Sequence, residues 1–334
     1  MTQTPTRSPN PVRRAWAWLP TAVTRPVVVL AWLSLVLQIV LIGTGGAVRL
    51  TASGLGCPTW PNCTAGSFVT TPELGIHGII EFSNRMLTIV LSIVVVLAFL
   101  IVLRMRKQRR DLFVLTLVQG LSIPFQAVLG GITVLSGLNP YVVGSHFLVS
   151  VLLVILTTNL VYRVYNGKRG SERVTPTWYV ALATLTSVAV GVTVVLGVLT
   201  TGAGPHAGDN SDAKALAPRN GLNPALLQEI HAVPAYITFG LTLALVFAAY
   251  IVATVTRERP RWRSVRFYSV ALLAVELVQI VVGITQAKEG LPIVLVNIHL
   301  VLAAILVAAM TALLLSLRRQ PAAPPVPVAS TSDS

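Results

Sequence analysis

The sequence predicts an all-α polytopic membrane protein, with eight transmembrane helices arranged as two pseudo-symmetric four-helix halves and both termini cytoplasmic. Three observations carry that expectation. Of 334 residues, 54% are hydrophobic and only 11% charged, with a mean hydropathy of +0.76, whereas a soluble domain carries about 25% charged residues. Eight segments each supply the roughly 20 apolar residues that a bilayer core takes. Four of the five histidines recur at matching intervals along these segments. The composition excludes a soluble enzyme, a disordered chain and a secreted disulfide scaffold.

The elements follow in order. Residues 1–25 form a polar, Pro- and Arg-bearing tail that reads as disordered. Spans are expected at 26–47, 75–103, 112–136, 141–163, 177–201, 226–255, 266–286 and 291–317. The first is too long for a signal-peptide core, and Gly-Gly-Ala-Val-Arg follows it instead of a cleavage site. Residues 318–334 form a Pro/Ser/Ala-rich tail, again read as disordered. The domain reading is 26–165 for the first half and 166–317 for the second.

Charge sets the topology. One side holds Arg7, Arg13, Arg14 and Arg25, then Arg104, Arg106, Lys107, Arg109 and Arg110, then Arg163, Lys168, Arg169 and Arg173. It also holds Arg257, Arg259, Arg261, Arg263 and Arg266, and finally Arg318 and Arg319, which makes 20 of the 25 basic residues. The opposite loops carry Arg49, Lys214, Arg219 and Lys288. The positive-inside rule places the basic side, and both termini, in the cytoplasm. The formal charge of +14 is therefore a topology signal with lipid contact, not a nucleic-acid signal.

His77, His146, His231 and His299 each lie near the start of an even-numbered span, five to seven residues after Pro72, Pro140, Pro224 and Pro292. Proline suits a first helical turn, and a rise of 1.5 Å per residue puts each imidazole about 8–10 Å inside the outer leaflet. His77 to His146 is 69 residues and His231 to His299 is 68; the halves are offset by 154 and 153. Flanking text agrees, with Gln126 through Gly131-Ile132-Thr133 paralleling Gln279 through Gly283-Ile284-Thr285. Four spans per unit insert both units the same way up, related by a pseudo-twofold along the membrane normal. One intramembrane histidine is ordinarily a hydrogen-bonded packing residue. Four at one depth point to function, and one per facing helix is the arrangement of bis-histidine haem ligation. Zinc sites more often mix in Cys or carboxylate ligands. Two pairs imply two haems.

The only cysteines, Cys57 and Cys63, sit six apart in the first outer loop, where disulfides persist. A structural clip and a redox-active pair both stay open. The second span reads His77-Gly-Ile-Ile-Glu81-Phe-Ser-Asn84-Arg85, so His77, Glu81 and Asn84 or Arg85 share a helix face. Glu81 is a candidate acid/base group, with an ion pair to Arg85 as the plainer reading. Glu276, the other intramembrane carboxylate, reads as packing or local pairing. His206, near Asp209 and Asp212 in the long outer loop, reads as a polar lid residue, with propionate contact as a lesser reading. Arg49 and Arg85 are candidate propionate partners by charge.

The motif Gly-Gly-x-Val-Arg-Leu-Thr-x-Ser-Gly-Leu-x-Cys-Pro-x-Trp-Pro-x-Cys after span 1 resembles the haem A synthase family, as do Ile-Glu-Phe-x-Asn-Arg in span 2 and Thr-Gly-x-Gly-Pro-His-Ala-Gly-Asp at 201–209. The resemblance covers about 26–317, and the Ala/Val- and Arg-rich composition resembles the actinobacterial branch. It implies eight spans in the bacterial cell membrane. It implies oxidation of the C8 methyl of haem O to a formyl group, by successive hydroxylation, to give haem A for cytochrome c oxidase. It further implies that His231 and His299 hold a haem b cofactor, that His146 is one ligand of the substrate haem, that Glu81 is the family carboxylate and that Cys57 and Cys63 are its loop pair. Partners implied are a haem O synthase, cytochrome c oxidase assembly factors and a membrane electron acceptor such as quinone; homo-oligomerisation stays open. One departure stands out. The usual Glu-x-x-His-Arg has Asn84 at the histidine position. The repeat spacing assigns the missing ligand to His77, with His146 alone as the alternative. The second half also lacks the additional cysteine pair of some members. A dihaem electron carrier and a haem transporter or chaperone are the competing readings; Glu81 and the cysteine loop favour the enzyme.

Overall fold

The computed structural model describes residues 16–168, 170–206, 208 and 217–319. Arg7, Arg13, Arg14, Arg169, Asp209, Asp212, Lys214 and most of both tails lie outside the described residues. Among the described residues, eight helices are long and apolar enough to cross a membrane: α1 Arg25–Leu50, α2 Gly75–Val102, α3 Arg110–Leu135, α4 Pro140–Asn166, α5 Thr177–Ala203, α6 Pro224–Val255, α7 Arg263–Lys288 and α8 Ile293–Ser316. The expected spans are all present; six run one to three residues further at one or both ends, while α2 and α8 are slightly shorter than expected.

Local chemistry fixes the starts. Asn139 caps α4 by accepting from the Tyr141 amide, and Asn223 caps α6 by accepting from the Ala225 and Leu226 amides. In both, proline takes the first helical position, where no amide is needed. The other two proline marks differ. Pro292 is itself the N-cap of α8. Pro72 opens a 3₁₀ turn, Pro72–Leu74, that ends at Gly75 with φ +56°. His77 therefore sits only two residues into α2, on a separately built entrance.

The helices pack as the repeat demands. α1 lies against α2 and α4 as α5 lies against α6 and α8, and α3 against α4 as α7 against α8. The halves meet through the reciprocal contacts α1–α8 and α4–α5, with α4 and α8 touching at the centre. Each half has its own apolar core. One gathers Val27, Ala31, Val102, Met105, Leu112 and Val154; the other gathers Tyr179, Leu245, Trp262, Val265, Leu272 and Leu313. Both cores concentrate toward the end that bears the basic loops. There Glu172–Arg173 pairs antiparallel with Arg318–Arg319, and Arg319 and Arg261 both reach the Glu172 carboxylate. His77, His146, His231 and His299 themselves belong to neither core, although Phe147, next to His146, packs against both.

Candidate functional site

The second half presents the simpler site. His231 on α6 and His299 on α8 face each other with ring centres 6.4 Å apart and planes inclined at 72°. Each ring rests on a glycine of the preceding helix. A methyl at Gly197 would stand 3.0 Å from His231 Cε1, and one at Gly283 would stand 3.1 Å from His299 Cε1. Only a residue without a side chain leaves the ring its place. Gln279 donates to the His299 carbonyl at 3.1 Å, holding α7 to α8 at this level.

The first half repeats part of this. A methyl at Gly130 would stand 3.4 Å from His146 Cε1, and Gln126 donates to the His146 carbonyl at 3.4 Å and to Ser150 Oγ at 2.8 Å. The register corrects one sequence match. The partner of Gly283 is Gly130, 153 residues earlier, and not Gly131. Gly131 is an extra glycine whose Cβ direction is filled by the indole of Trp60. The Gly-Ile-Thr text is thus one residue out of step with the structure.

His77 is set differently. Its Nδ1 is 2.9 Å from Ser53 Oγ, and the ring is exposed. Gly43, 154 residues before Gly197, meets Val301 and not a histidine. Around His77 the outer loop is held closely. Cys57 and Cys63 are disulfide-bonded and fully buried, and the Gly56 Cβ direction is blocked by the His77 carbonyl. Glu81 is 6% exposed; one oxygen accepts from the Cys57 amide at 2.6 Å and the other from Arg85 at 2.6 Å. Arg85 also donates to the carbonyls of Cys57, Thr59, Pro61 and Asn62. Asn84 accepts from Thr44 Oγ1 at 2.7 Å, tying α2 to α1.

Arg49 directs Nε to the His206 carbonyl and an Nη to the Thr201 carbonyl, while His206 Nε2 lies 2.9 Å from the Leu291 carbonyl. Both arginines named from charge alone thus hold outer-loop backbone in place. Glu276 lies in α7 at 4% exposure, with Oε1 accepting from Thr242 and Oε2 buried without a partner.

The histidines fit a haem on three counts. Nδ1 of His146, His231 and His299 is buried with no protein partner, a state that calls for an explanation. Among the described residues no three His, Cys, Asp or Glu side chains converge, so these are two-point ligand sets and not a zinc-type cluster. Two imidazoles bound to one metal at about 2 Å per bond have ring centres roughly 6 Å apart, which the second-half pair matches. Ser53 fits too: a partner on one ring nitrogen fixes the tautomer and frees the other for a metal. Ser53 and Thr44 carry no spacing signal in the sequence; Gln126 and Gln279 mark the repeat there, but their contacts to the His146 and His299 carbonyls emerge only in the structure.

The sequence model of the COX15-CtaA family, described as cytochrome oxidase assembly protein, matches residues 28–311. The chain belongs to this family. Among curated relatives of this assembly-protein family, the Bacillus pumilus protein named haem A synthase is 35% identical over 140 residues, covering 41% of this chain and 44% of the relative. The Bacillus cereus protein of the same name is 36% identical over 135 residues, covering 39% and 42%. A Listeria welshimeri haem A synthase is 29% identical over 136 residues, covering 40% and 44%. The chain thus matches less than half the length of these relatives.

Proposed function

We propose that this protein is a haem A synthase of the bacterial cell membrane, with both termini in the cytoplasm. It oxidises the C8 methyl of haem O to the formyl group of haem A, for cytochrome c oxidase. The observation that carries the reading is the facing pair His231–His299, seated on Gly197 and Gly283, in a chain whose family match spans both halves. In this reading His231 and His299 hold a resident haem b in the second half, residues 166–317. His146 and His77 hold the substrate porphyrin in the first, residues 26–165. A resident haem supplies one-electron redox capacity. The protein's own groups do the rest.

Each hydroxylation, with water as the oxygen source, replaces a methyl C–H by C–OH, passes two electrons to the carrier and releases two protons, so a carboxylate near the substrate has work to do. Glu81 lies one helical turn from His77, with Arg85 compensating its charge. We assign it the proton-handling role. Arg85 and the Cys57–Cys63 loop close the outer face above it and limit water access. Arg49 is kept as a candidate contact of haem propionates through Nη donors it does not spend on carbonyls; Arg85, whose Nε, Nη1 and Nη2 all serve Glu81 and four loop carbonyls, takes that role only by giving one of them up. A haem O synthase supplies the substrate, and a membrane quinone or similar carrier removes electrons.

The decisive experiment extracts haems from cells making a haem O synthase with and without this protein. Haem A appearing by mass only with both proteins supports the proposal. Retained haem with no haem A would make the chain an electron carrier instead.

A further inference from the structure

We infer that Glu276 is a proton-binding site of the second half, taking up one proton when an electron arrives at the His231–His299 centre and releasing it when the electron leaves. This rests on the resident-haem reading of that pair.

The position itself asks for an explanation. Glu276 is 4% exposed, in the middle of α7. Its Oε1 accepts a single hydrogen bond, from Thr242 Oγ1 on α6 at 3.1 Å, and its Oε2 is buried with no partner. Among the described residues it forms no ion pair, whereas Glu81 has Arg85. An ionised carboxylate so placed lacks both a cation and a second donor, and is costly inside a bilayer; the protonated form costs far less. The fold does not need the carboxyl. The equivalent residue 153 positions earlier is Ile123, which precedes Gln126 by three just as Glu276 precedes Gln279 by three. An aliphatic side chain serves that place in the first half, so the acid is specific to the second.

Its location links it to the histidine pair. Gln279, one turn along α7, donates to the His299 carbonyl. Gly283, the seat of the His299 ring, is seven residues on, about 10 Å along the axis. Of the other ionisable groups on the surrounding helices, Glu229 and Tyr236 on α6 and Arg263 and Lys288 at the ends of α7 are exposed. His231 on α6 and His299 on α8 form the pair itself. Tyr179 on α5 spends its hydroxyl on the Leu245 carbonyl and Ser269. On α7, Arg266 lies over the Tyr250 ring and Tyr268 against Tyr162, both toward the basic end. Glu276 is the buried carboxyl with an oxygen left unpartnered to answer a change of charge at the pair.

The balance is one electron and one proton. During turnover the electron comes from the substrate being oxidised; in a titration it comes from dithionite. The proton comes from solvent and forms the O–H bond of the Glu276 carboxyl. Added negative charge at the pair tightens the proton, and by reciprocity the bound proton favours the reduced state. The midpoint potential therefore falls as pH rises, by up to about 59 mV per pH unit for one proton per electron.

The test is a spectroelectrochemical titration of the full-length protein in lipid nanodiscs at several pH values. We expect the unsubstituted protein to show a sloping midpoint, and Glu276→Gln to keep the b-type spectrum with the slope removed. A slope that survives in Glu276→Gln, or no slope in the unsubstituted protein, overturns the inference. Absence of any b-type spectrum in the unsubstituted protein overturns the haem reading and this inference with it. Should the Gln variant fail to accumulate, redox-difference infrared spectra of the unsubstituted protein and Thr242→Val decide. A protonated-carboxyl band that responds to redox state and moves when Thr242 loses its hydroxyl is expected; no such band, or one that Thr242→Val leaves in place, overturns it.

Discussion

The two halves share a helical plan but differ in how each frames its histidines. In the second, both rings rest on glycines and face each other at 6.4 Å. In the first, one ring repeats that setting at Gly130, while His77 is held by Ser53 beneath a disulfide-closed loop that Glu81 and Arg85 bind from below. A rigid, self-contained pair suits a resident cofactor. A pair with one histidine hydrogen-bonded to a loop residue suits a molecule that must enter and leave. The duplicated scaffold supplies the depth; the loop makes one copy different.

The largest effects should divide along that line. His231→Ala or His299→Ala should remove the resident b-type absorption, while His146→Ala should spare it and abolish conversion of haem O. Reversed spectra would exchange the assignments of the halves. Glu81→Gln, nearly isosteric but unable to carry charge, should lower haem A formation by about 10²–10⁴-fold, the range of an acid/base contribution, with haem content near that of the unsubstituted protein. Full activity in that variant would reduce Glu81 to an anchor for the loop.

A subtler change is expected at His77. His77→Ala should turn bound substrate haem from six-coordinate low-spin to high-spin, and Asn84→Ala should leave the spin state alone, since Asn84 is engaged by Thr44. An unchanged spectrum in His77→Ala would leave His146 as sole ligand. Smallest is the glycine seat. Gly283→Ala would press a methyl on His299 and cost about 1–3 kcal/mol of overpacking, visible as faster haem loss on dilution. Gly240→Ala, where nothing lies within 4 Å, should be silent.

Much of this was legible in the residues. Span positions follow from apolar runs, because a bilayer admits little else. The repeat follows from histidine spacing, because identical insertion keeps depth constant. The Gly131 register was misread because Gly-Ile-Thr occurs in both halves and text cannot say which glycine faces a ring. The backbone contacts of Arg49 and Arg85 were not legible for a related reason: charge announces a donor but not its acceptor, and both arginines donate to backbone carbonyls. Ser53 stayed hidden because its partner is 24 residues away.

The indole of Trp60 against Gly131 has a consequence for biogenesis. The loop is synthesised before α3, yet its seat is a notch on α3. Its final position must therefore wait until that later helix has inserted and packed. Until then the loop beside His77 lacks its Trp60 anchor on Gly131. Chain order and one missing side chain together make closure a checkpoint on completed assembly.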